Sequence, residues 1–365
     1  MAKNNNIQTF NDLDGLAQHL RNQDKKVTLL FAHNGTGKTR LSMAFKELGK
    51  QINENGEDVS RDTLYFNAFT EDLFFWDNDL ENDSERVLKM NTDSRFFSGL
   101  AEMEMESRIG PLLHRYADFN FEIDYSNGSI VFWREMVANS DGTEEPAYIK
   151  VSRGEENLFI WCFFLAIARW AIDGQEAYDW VQYLYIDDPI SSLDENNAIA
   201  VAADLAHLLK DQDRLKTIIS SHHTVFFNVL CNEMKRALRY FLAKAESGYE
   251  LRDTTDTPHF YHVAMLKELH RVAKTGEIYT YHFTILRSIM EKTATFHGFS
   301  GLGEIIKREP NDEDGELHTR YVNLLSHGNH SLFEPVDMME ENKRIFRKIL
   351  NNLMNNYRFN PKLFP

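Results

Sequence analysis

The sequence predicts an α/β domain built around a mostly parallel sheet, followed by a smaller domain made of helices. Apolar runs typical of strands alternate with helical spacings over the first 258 residues, whereas the last 107 residues show helical spacing alone. The charge changes at the same position. Residues 1–258 carry 26 basic and 43 acidic side chains, and residues 259–365 carry 14 and 13 and hold eight of the 14 histidines. We therefore expect a domain boundary at residue 258.

The composition is typical of a folded globular protein. Of the 365 residues, 42% are hydrophobic and 12% aromatic, which is enough for one large core or two moderate ones. Cys162 and Cys231 each lie in an apolar run, a pattern that predicts core packing in a reducing cytoplasm rather than a disulfide. The sequence shows neither a signal peptide nor an apolar stretch long enough for a membrane span, so we expect a cytoplasmic protein. The net charge of −16 excludes a protein that coats nucleic acid over its whole surface.

A predicted strand at 26–31 leads into a glycine-rich loop that opens a helix, Asn34-Gly35-Thr36-Gly37-Lys38-Thr39-Arg40. Backbone N–H groups of such a loop close around phosphate oxygens, Lys38 neutralises the β- and γ-phosphates, and the Thr39 hydroxyl can ligate Mg²⁺. This pattern predicts a P-loop that binds ATP or GTP with Mg²⁺. Ala32 occupies the position of the usual first glycine, and an alanine fits there if its φ is negative.

A second predicted strand, 63–66, precedes a run that is too polar for a core strand, Asn67-Ala68-Phe69-Thr70-Glu71-Asp72-Leu73-Phe74-Phe75-Trp76-Asp77-Asn78-Asp79-Leu80. An amide at a strand end beside a P-loop can bind Mg²⁺ or a catalytic water. We therefore expect Asn67 to act as the Q-loop glutamine does in ABC-type ATPases, with strand capping as the alternative.

Further predicted strands form an antiparallel meander at 121–125, 129–133 and 147–151. The meander ends at Val151-Ser152-Arg153-Gly154-Glu155-Glu156, which precedes an apolar helix at 157–172. Ser152 is a good N-cap, Gly154 permits close backbone approach, and a helix N-terminus attracts an anion. The stretch resembles the signature sequence of ABC-type ATPases. In that architecture the signature of one subunit covers the γ-phosphate on the P-loop of another, which implies a head-to-tail homodimer or a higher oligomer.

A buried strand then ends in two adjacent acids, Ile186-Asp187-Asp188-Pro189. We expect Asp187 to hold Mg²⁺ and Asp188 to be the base that polarises the attacking water, a position where glutamate is more usual. Ser192-Leu193-Asp194 matches the D-loop of ABC-type ATPases. His222 follows the next predicted strand, 215–220, and is placed to contact the γ-phosphate.

The last third of the chain predicts a small helical bundle with helices at 261–273, 278–297, 317–325 and 338–357. Arg287 and Glu291 are four residues apart and therefore share one helix face. An exposed ion pair is the simpler interpretation of that spacing. However, His327 lies at the end of a later helix, and an arginine, a glutamate and a histidine together can cleave RNA without a metal.

The chain resembles the PrrC-type bacterial anticodon nucleases over five stretches, namely the P-loop, 66–80, 152–156, 186–189 and 281–294. The resemblance implies an ABC-type P-loop ATPase domain at 1–258 and an HEPN-like helical nuclease domain at 259–365. It also implies that Arg287, Glu291 and His327 are catalytic, with His330 as a near neighbour that could compete for the role of His327. The implied substrate is a tRNA cut in its anticodon loop, typically a lysine tRNA next to the wobble base. A linked restriction–modification complex is the implied silencer, and anti-phage defence by a toxin is the implied role.

Three other classes stay open. A DNA-repair or clamp ATPase without nuclease activity would need a long coiled coil or a zinc hook between P-loop and signature, and the chain has room for neither. A regulatory ATPase whose C-terminal bundle only binds a partner would leave Arg287, Glu291 and His327 scattered in space. A toprim-type nuclease fused to such an ATPase would need clustered carboxylates, which the last segment does not present as a motif.

Overall fold

The computed structural model describes residues 7–52, 58–67, 73–77, 87–92, 94, 97, 104–138, 143–190, 195–245, 247–255, 261–306, 338–359 and 364. The chain divides into two compact units, Met1–His259 (unit 1) and Phe260–Pro365 (unit 2). The division lies beside the position where the charge balance changes. Among the described residues, no helix has both the length and the apolar character that crossing a membrane requires.

Unit 1 alternates strands with helices through most of its length. Its strands are β1 (Ile7–Phe10), β2 (Val27–Ala32), β3 (Gln51–Ile52), β4 (Asp58–Ser60), β5 (Thr63–Asn67), β6 (Phe74–Asp77), β7 (Val87–Met90), β8 (Asn120–Asp124), β9 (Ser129–Ala138), β10 (Glu144–Ile149), β11 (Tyr183–Asp187), β12 (Lys216–Ser221), β13 (Leu238–Lys244) and β14 (Tyr249–Asp253). Its helices are α1 (Leu13–Arg21), α2 (Lys38–Glu47), α3 (Met105–Leu113), α4 (Arg153–Asp173), α5 (Glu195–Leu209) and α6 (Thr224–Glu233).

The larger sheet has seven strands in the order β1-β14-β13-β2-β12-β11-β5. Strands β13, β2, β12, β11 and β5 are parallel, while β14 and β1 add an antiparallel edge. All six residues of β2 are buried, as expected for a central parallel strand covered on both faces. The prediction of a mostly parallel sheet is confirmed.

The antiparallel sheet extends further than the predicted three-stranded meander, because β6 and β7 join it in the order β10-β9-β7-β6 with β8 paired to β9. The run at 67–80 was predicted to be too polar for a core strand, and its residues Phe74–Asp77 form an edge strand of this sheet with one buried residue. Phe74 is buried against Phe163 of α4, whereas its neighbour Phe75 is 54% exposed. A strand with only one buried face alternates in this way, so acidic residues on the other face do not prevent it.

Helix α4 starts at Arg153, four residues earlier than predicted, because Ser152 and Glu155 form a capping box. The Ser152 hydroxyl accepts from the backbone N–H of Glu155 at 3.4 Å, and a carboxylate oxygen of Glu155 accepts from the backbone N–H of Ser152 at 2.7 Å. The capping box thus gives hydrogen-bond partners to two backbone N–H groups, those of Ser152 and Glu155, that the helix itself leaves unpaired. The helix is buried almost all round and includes Cys162, which is a free thiol as predicted, like Cys231.

Unit 2 is helical in its described part, with α7 (Tyr261–Thr275), α8 (Thr280–Phe296), α9 (Leu302–Ile305) and α10 (Glu340–Asn356). Phe283 of α8 packs edge-on against Phe346 of α10, with ring centroids 5.1 Å apart, which places these helices in one core. The predicted helix at 317–325 lies outside the described residues. An HEPN-like arrangement of the bundle stays a prediction.

The buried imidazole of His282 predicts acid sensitivity for unit 2. Its Nδ1 accepts from the backbone N–H of Tyr279 at 2.9 Å, and burial lowers the pKa of His282 to about 4, with Arg271 acting in the same direction and Glu268 and Glu277 opposing it. In the unfolded chain the His282 side chain has its ordinary pKa of 6.5. Between about pH 6.5 and 4 the unfolded state therefore binds more protons than the folded state. The free energy of unfolding should fall by about 3 kcal/mol as the pH drops through that window.

Denaturant unfolding of the full chain at a series of pH values measures this effect. His282→Asn keeps an acceptor for Tyr279 and should remove most of the pH slope, whatever its stability at pH 7. His207→Asn, on the exposed side of α5, is the control and should leave the slope unchanged. Equal slopes for the wild type and His282→Asn would contradict the assignment.

Candidate functional site

The carboxyl ends of the parallel strands gather the predicted residues of unit 1 at one sheet edge. Asp187, the last residue of β11, is paired with Asn67 of β5 on one side and with Ser220 of β12 on the other. Strand β2, which leads into the predicted P-loop, lies on the far side of β12. Four segments distant in sequence therefore end side by side, where ligands of open α/β sheets bind.

The loop after β2 has the backbone that a phosphate cradle requires. Gly35 and Gly37 have φ values of 78° and 109°, a region that favours glycine, and α2 begins at Lys38 immediately after them. Ala32 is the last residue of β2, and among the described non-glycine residues only Glu104 and Asp188 have positive φ. The alanine therefore fits without strain. Asn34, Thr39 and Arg40 are exposed around this turn.

Lys38 is 6% exposed and binds back onto its own loop. Its Nζ donates to the backbone oxygens of Ala32 and His33 at 3.2 and 3.4 Å, and to Oδ1 of Asn34 at 3.3 Å. It also lies 3.3 Å from Oδ2 of Asp188. The ammonium group is thus held where the loop converges, and its charge balances that of the second acid.

Asp188 is the most connected residue of the site. Its Oδ1 accepts from the Ser221 hydroxyl at 3.2 Å and from the backbone N–H of His222 at 3.1 Å, and its Oδ2 is 2.6 Å from Nδ1 of His222. Although burial opposes ionisation, the His222 hydrogen bonds and the Lys38 charge hold the pKa of Asp188 below its usual value. Its φ of 50° is rare for a residue with a side chain. These contacts fix the carboxylate, ionised, between the loop and β12.

Asp187 is fully buried, and its two carboxylate oxygens differ in their hydrogen bonding. Its Oδ1 accepts from the Ser220 hydroxyl at 2.5 Å, while its Oδ2 makes no hydrogen bond among the described residues. Burial raises the pKa of Asp187, and the Asp188 charge adds to the rise. An orphaned, hard oxygen of this kind fits a Mg²⁺ ion. No group of three or more His, Cys, Asp or Glu side chains that could hold a metal ion occurs in the described part of the chain.

Asn67 belongs to a hydrogen-bonded chain that the sequence did not reveal. Its Nδ2 donates to the Tyr65 hydroxyl at 3.2 Å, and the Ser42 hydroxyl of α2 donates to the same oxygen at 3.1 Å. Burial and the nearby Asp187 charge raise the pKa of Tyr65 to about 12, so the phenol stays neutral. The structure thus places Asn67 beside Asp187, and Tyr65, Ser42 and Ser220 are site residues missed in the sequence. Alternation along β5 puts the Tyr65 side chain on the same face as that of Asn67, but no local pattern in the sequence indicates their hydrogen bonds.

A cavity of about 680 Å³ opens beside the first turn of α2. Its lining includes Thr39 and Arg40 of α2, the start of α1 at Asp12, and Tyr249 of β14. A Cβ atom placed on Gly37 would lie 3.6 Å from the Tyr249 hydroxyl, so this tyrosine closes the space against the P-loop. The volume is within the range of small-molecule sites.

The predicted signature is anchored within unit 1 but is not joined to the P-loop. The indole N–H of Trp76 in β6 donates to Oε2 of Glu156 at 2.9 Å, and Arg134 of β9 pairs with Glu155. In the described part of the chain no hydrogen bond or ion pair connects Ser152 or Gly154 to the loop at 34–40. The predicted D-loop, 192–194, lies outside the described residues.

Unit 2 presents the predicted Arg287–Glu291 pair on α8. Nε of Arg287 donates to Oε1 of Glu291 at 2.7 Å, and the side chains are 39% and 47% exposed. Four-residue spacing on one helix accounts for the contact, and the exposure leaves both groups accessible to a large substrate. His327 and His330 lie outside the described residues, so their distance from this pair stays a prediction.

Comparisons with known proteins place the chain among characterised relatives. A family model described as an AAA domain matches residues 134–355. The chain is 35% identical over 361 residues to an anticodon nuclease of Escherichia coli, covering 92% of this chain and 90% of that protein. Two solved structures are similar at low scores. The SMC head domain from Thermotoga maritima has 14% identity and a TM-score of 0.31, covering 62% of this chain and 90% of that one. The Smc head domain with a coiled coil and joint from Pyrococcus yayanosii has 12% identity and a TM-score of 0.29, covering 42% of this chain and 27% of that one.

The two adjacent acids should respond to the same substitution in opposite ways. A bound phosphate must replace Asp188 as the partner of Lys38, so Asp188→Asn should bind nucleotide more tightly, roughly fivefold or about 1 kcal/mol. Asp187→Asn should instead weaken binding at least about tenfold, and only when Mg²⁺ is present. Calorimetric titration of each full-length variant with nucleotide, with and without Mg²⁺, measures both. Equal losses of affinity in the two variants would show that the roles assigned here are wrong.

Proposed function

This chain belongs to the anticodon nuclease family and carries an AAA domain, and from that premise we propose that it is a nucleotide-gated ribonuclease that cuts the anticodon loop of a tRNA. The proposal rests on the family relationship together with two observations, the residues gathered around Lys38 and Asp188 in unit 1 and an accessible arginine–glutamate pair in unit 2. The likeness to the relative extends over both units, which supports a single function for the whole chain.

In unit 1 the nucleotide phosphates take the place now occupied by the Asp188 carboxylate next to Lys38. The Thr39 hydroxyl and the Oδ2 atom of Asp187 would hold Mg²⁺, which would supply charge neutralisation at the phosphates. The nucleoside lies in the cavity beside Thr39 and Arg40. ATP and GTP both fit this description, and the preference between them stays a prediction.

Hydrolysis needs Asp188 to leave Lys38 and act as the base for the attacking water. The ring and the backbone N–H of His222 keep its carboxylate ionised and, with the Ser221 hydroxyl, hold it beside the loop. Ser152 and Gly154 of a second subunit then cover the γ-phosphate, which makes a head-to-tail dimer the active form. Glu156 and Glu155 bind the signature to β6 and β9. Closure of that dimer would therefore strain the antiparallel sheet, and the strain would depend on whether nucleotide is bound.

In unit 2 the chemistry is a transesterification within the RNA. His327 takes the proton of the ribose 2′-hydroxyl, whose oxygen attacks the neighbouring phosphorus, and a proton returns to the departing 5′-oxygen. Arg287 binds the phosphate and stabilises its growing negative charge. Glu291, which orients the guanidinium through Nε, also orients or assists His327. The products are a 2′,3′-cyclic phosphate and a 5′-hydroxyl.

The finer identity of the substrate is proposed from what is typical of the family that the chain resembles. We propose a lysine tRNA cut next to the wobble base as the first substrate to test. Silencing by a linked restriction–modification complex, a role in anti-phage defence and a cytoplasmic location all stay predictions.

Substitution of the proposed nuclease pair tests the function. Arg287→Ala and Glu291→Ala should each reduce cleavage of tRNA at least about 100-fold while nucleotide binding is unchanged, because Arg287 binds the reacting phosphate and Glu291 orients Arg287 and His327. Cleavage of labelled tRNA by the purified full chain is the measurement, with EDTA added after activation expected to spare it.

The matched control is Arg169→Ala, since Arg169 and Asp173 form an exposed ion pair of the same four-residue spacing on α4. It should cut tRNA at the wild-type rate. Products with a 5′-phosphate would contradict the mechanism, and full activity of Arg287→Ala would reduce the pair to a surface ion pair worth about 0.3–0.5 kcal/mol.

A further inference from the structure

We propose that the aromatic surface at the C-terminal ends of α8 and α10 stacks unpaired nucleotides of the RNA substrate and so positions it on the nuclease pair. This stacking surface consists of Lys292, Phe296, His297, Tyr357 and Arg358. The inference rests on the proposed function and names the part of the substrate that unit 2 recognises. It concerns residues of unit 2 alone.

The rings of the stacking surface form a continuous row. Phe296, the last residue of α8, lies with its ring centroid 5.4 Å from that of His297, and His297 lies 4.8 Å from Tyr357. The interplanar angles are 74° and 62°, so the rings meet edge to face. Such contacts stabilise a fixed arrangement of rings. Three aromatic groups from two helices thus present one surface.

The surface is open to solvent and its middle ring is held in place. Phe296 is 87% exposed, while other apolar side chains of α8, such as Phe283 and Leu286, are buried. Nδ1 of His297 donates to the backbone oxygen of Thr293 at 3.0 Å, which fixes the imidazole plane. A single exposed phenylalanine would require no explanation. A rigid row of rings that ends in a nearly fully exposed phenylalanine matches the base-stacking platforms of single-strand binders.

Two cations flank the row. Lys292 lies one turn before Phe296 on the same face of α8, and Arg358 follows Tyr357 directly. Both are exposed, and neither forms an ion pair with any residue that the structure describes. Phosphate groups on either side of a stacked base would meet these charges. A protein partner is less favoured, because an apolar interface core is depleted in lysine.

The surface lies close to the nuclease pair along the same helix. Phe296 follows Glu291 by five residues, which is about 8 Å along the axis of α8. Arg287 precedes Phe296 by nine residues, which puts the two side chains about 14 Å apart along the axis and on opposite sides of α8. An RNA strand bound at both must therefore curve around the helix, and the base stacked on Phe296 belongs to a nucleotide beyond the one whose phosphate Arg287 binds. Anticodon loops expose unpaired bases, whereas duplex stems do not, so stacking would select the loop.

Substitution of Phe296 tests the inference on the full chain. Phe296→Ala should raise KM for an anticodon stem-loop roughly tenfold with little change in kcat, since stacking positions the substrate and does not take part in the chemistry. Phe296→Leu should behave like the alanine variant, whereas Phe296→Trp should keep the wild-type KM. The exposure of the side chain means that none of these changes disturbs the core.

The control is Met339→Ala, which removes a 74% exposed apolar side chain at the other end of α10, about 27 Å away along the helix. It should leave KM unchanged. A stem-loop with 2-aminopurine in the loop gives a second readout, because its fluorescence should be quenched by the wild type and by Phe296→Trp but not by Phe296→Ala. Replacing both Lys292 and Arg358 by alanine should lower the salt dependence of binding by roughly one to two charges.

The outcomes separate the inference from the function on which it rests. If the wild type cuts the stem-loop and Phe296→Ala has the same KM and quenches the probe equally, the stacking surface is wrong and the proposed function stands. If Phe296→Ala instead changes the oligomeric state in light scattering with KM unaltered, the surface is a protein interface and the inference is overturned. A wild-type protein that cuts no RNA would refute both.

Discussion

The contact between Lys38 and Asp188 is the interaction on which the site of unit 1 depends. Nζ of Lys38 and Oδ2 of Asp188 are 3.3 Å apart, and the same carboxylate is bound by His222. Lys38, Asp188 and His222 come from three motifs that are far apart in sequence, and their side chains form one connected group. The parallel register of β2, β12 and β11 makes this possible, because their carboxyl ends lie at one edge. In the proposed function, phosphate takes over from Asp188 as the partner of Lys38, and nucleotide binding would therefore be coupled to release of the Asp188 carboxylate.

That coupling gives unit 1 the properties of a switch. Asp188 is held in a backbone conformation that is rare for residues with side chains, with φ of 50°, and strain of this kind is retained where the surroundings determine it. The neighbouring Asp187 keeps an unsatisfied oxygen in the interior, which a hard cation would relieve. Nucleotide and Mg²⁺ together would therefore reorganise both acids. In the proposed function the signature of a second subunit binds over the phosphates when the two acids are reorganised. This binding controls the nuclease in unit 2.

Much of the nucleotide site could be predicted from the sequence, because its residues sit in local patterns. The loop at 34–40 and the acids after β11 follow apolar strands, and strand ends of a parallel sheet must converge. The strands β13 and β14 and the edge strand β1 were not predicted. All four residues of β1 lack full burial, and its pairing with β14 joins positions more than 230 residues apart. Such pairing is decided by the completed sheet rather than by local propensity.

The nuclease site was less accessible to sequence reasoning. The spacing of Arg287 and Glu291 predicted their contact correctly, yet the same spacing produces ordinary surface pairs such as Arg169–Asp173. Only the family resemblance separated the two. The hydrogen bonds of Tyr65, Ser42 and Ser220 were also missed, because they join α2 to β5 and β12 to β11, which are far apart in sequence. Contacts between distant segments carry no local pattern.

The central claim is that nucleotide bound in unit 1 controls RNA cleavage by unit 2 of the same chain. Sequencing the RNA ends produced from total tRNA, with and without nucleotide and Mg²⁺, tests it most directly. We expect cuts in an anticodon loop, with 5′-hydroxyl ends, whose yield changes with nucleotide for the wild type but not for Lys38→Ala. Cleavage outside anticodon loops, or identical yields under all conditions in both proteins, would contradict the claim.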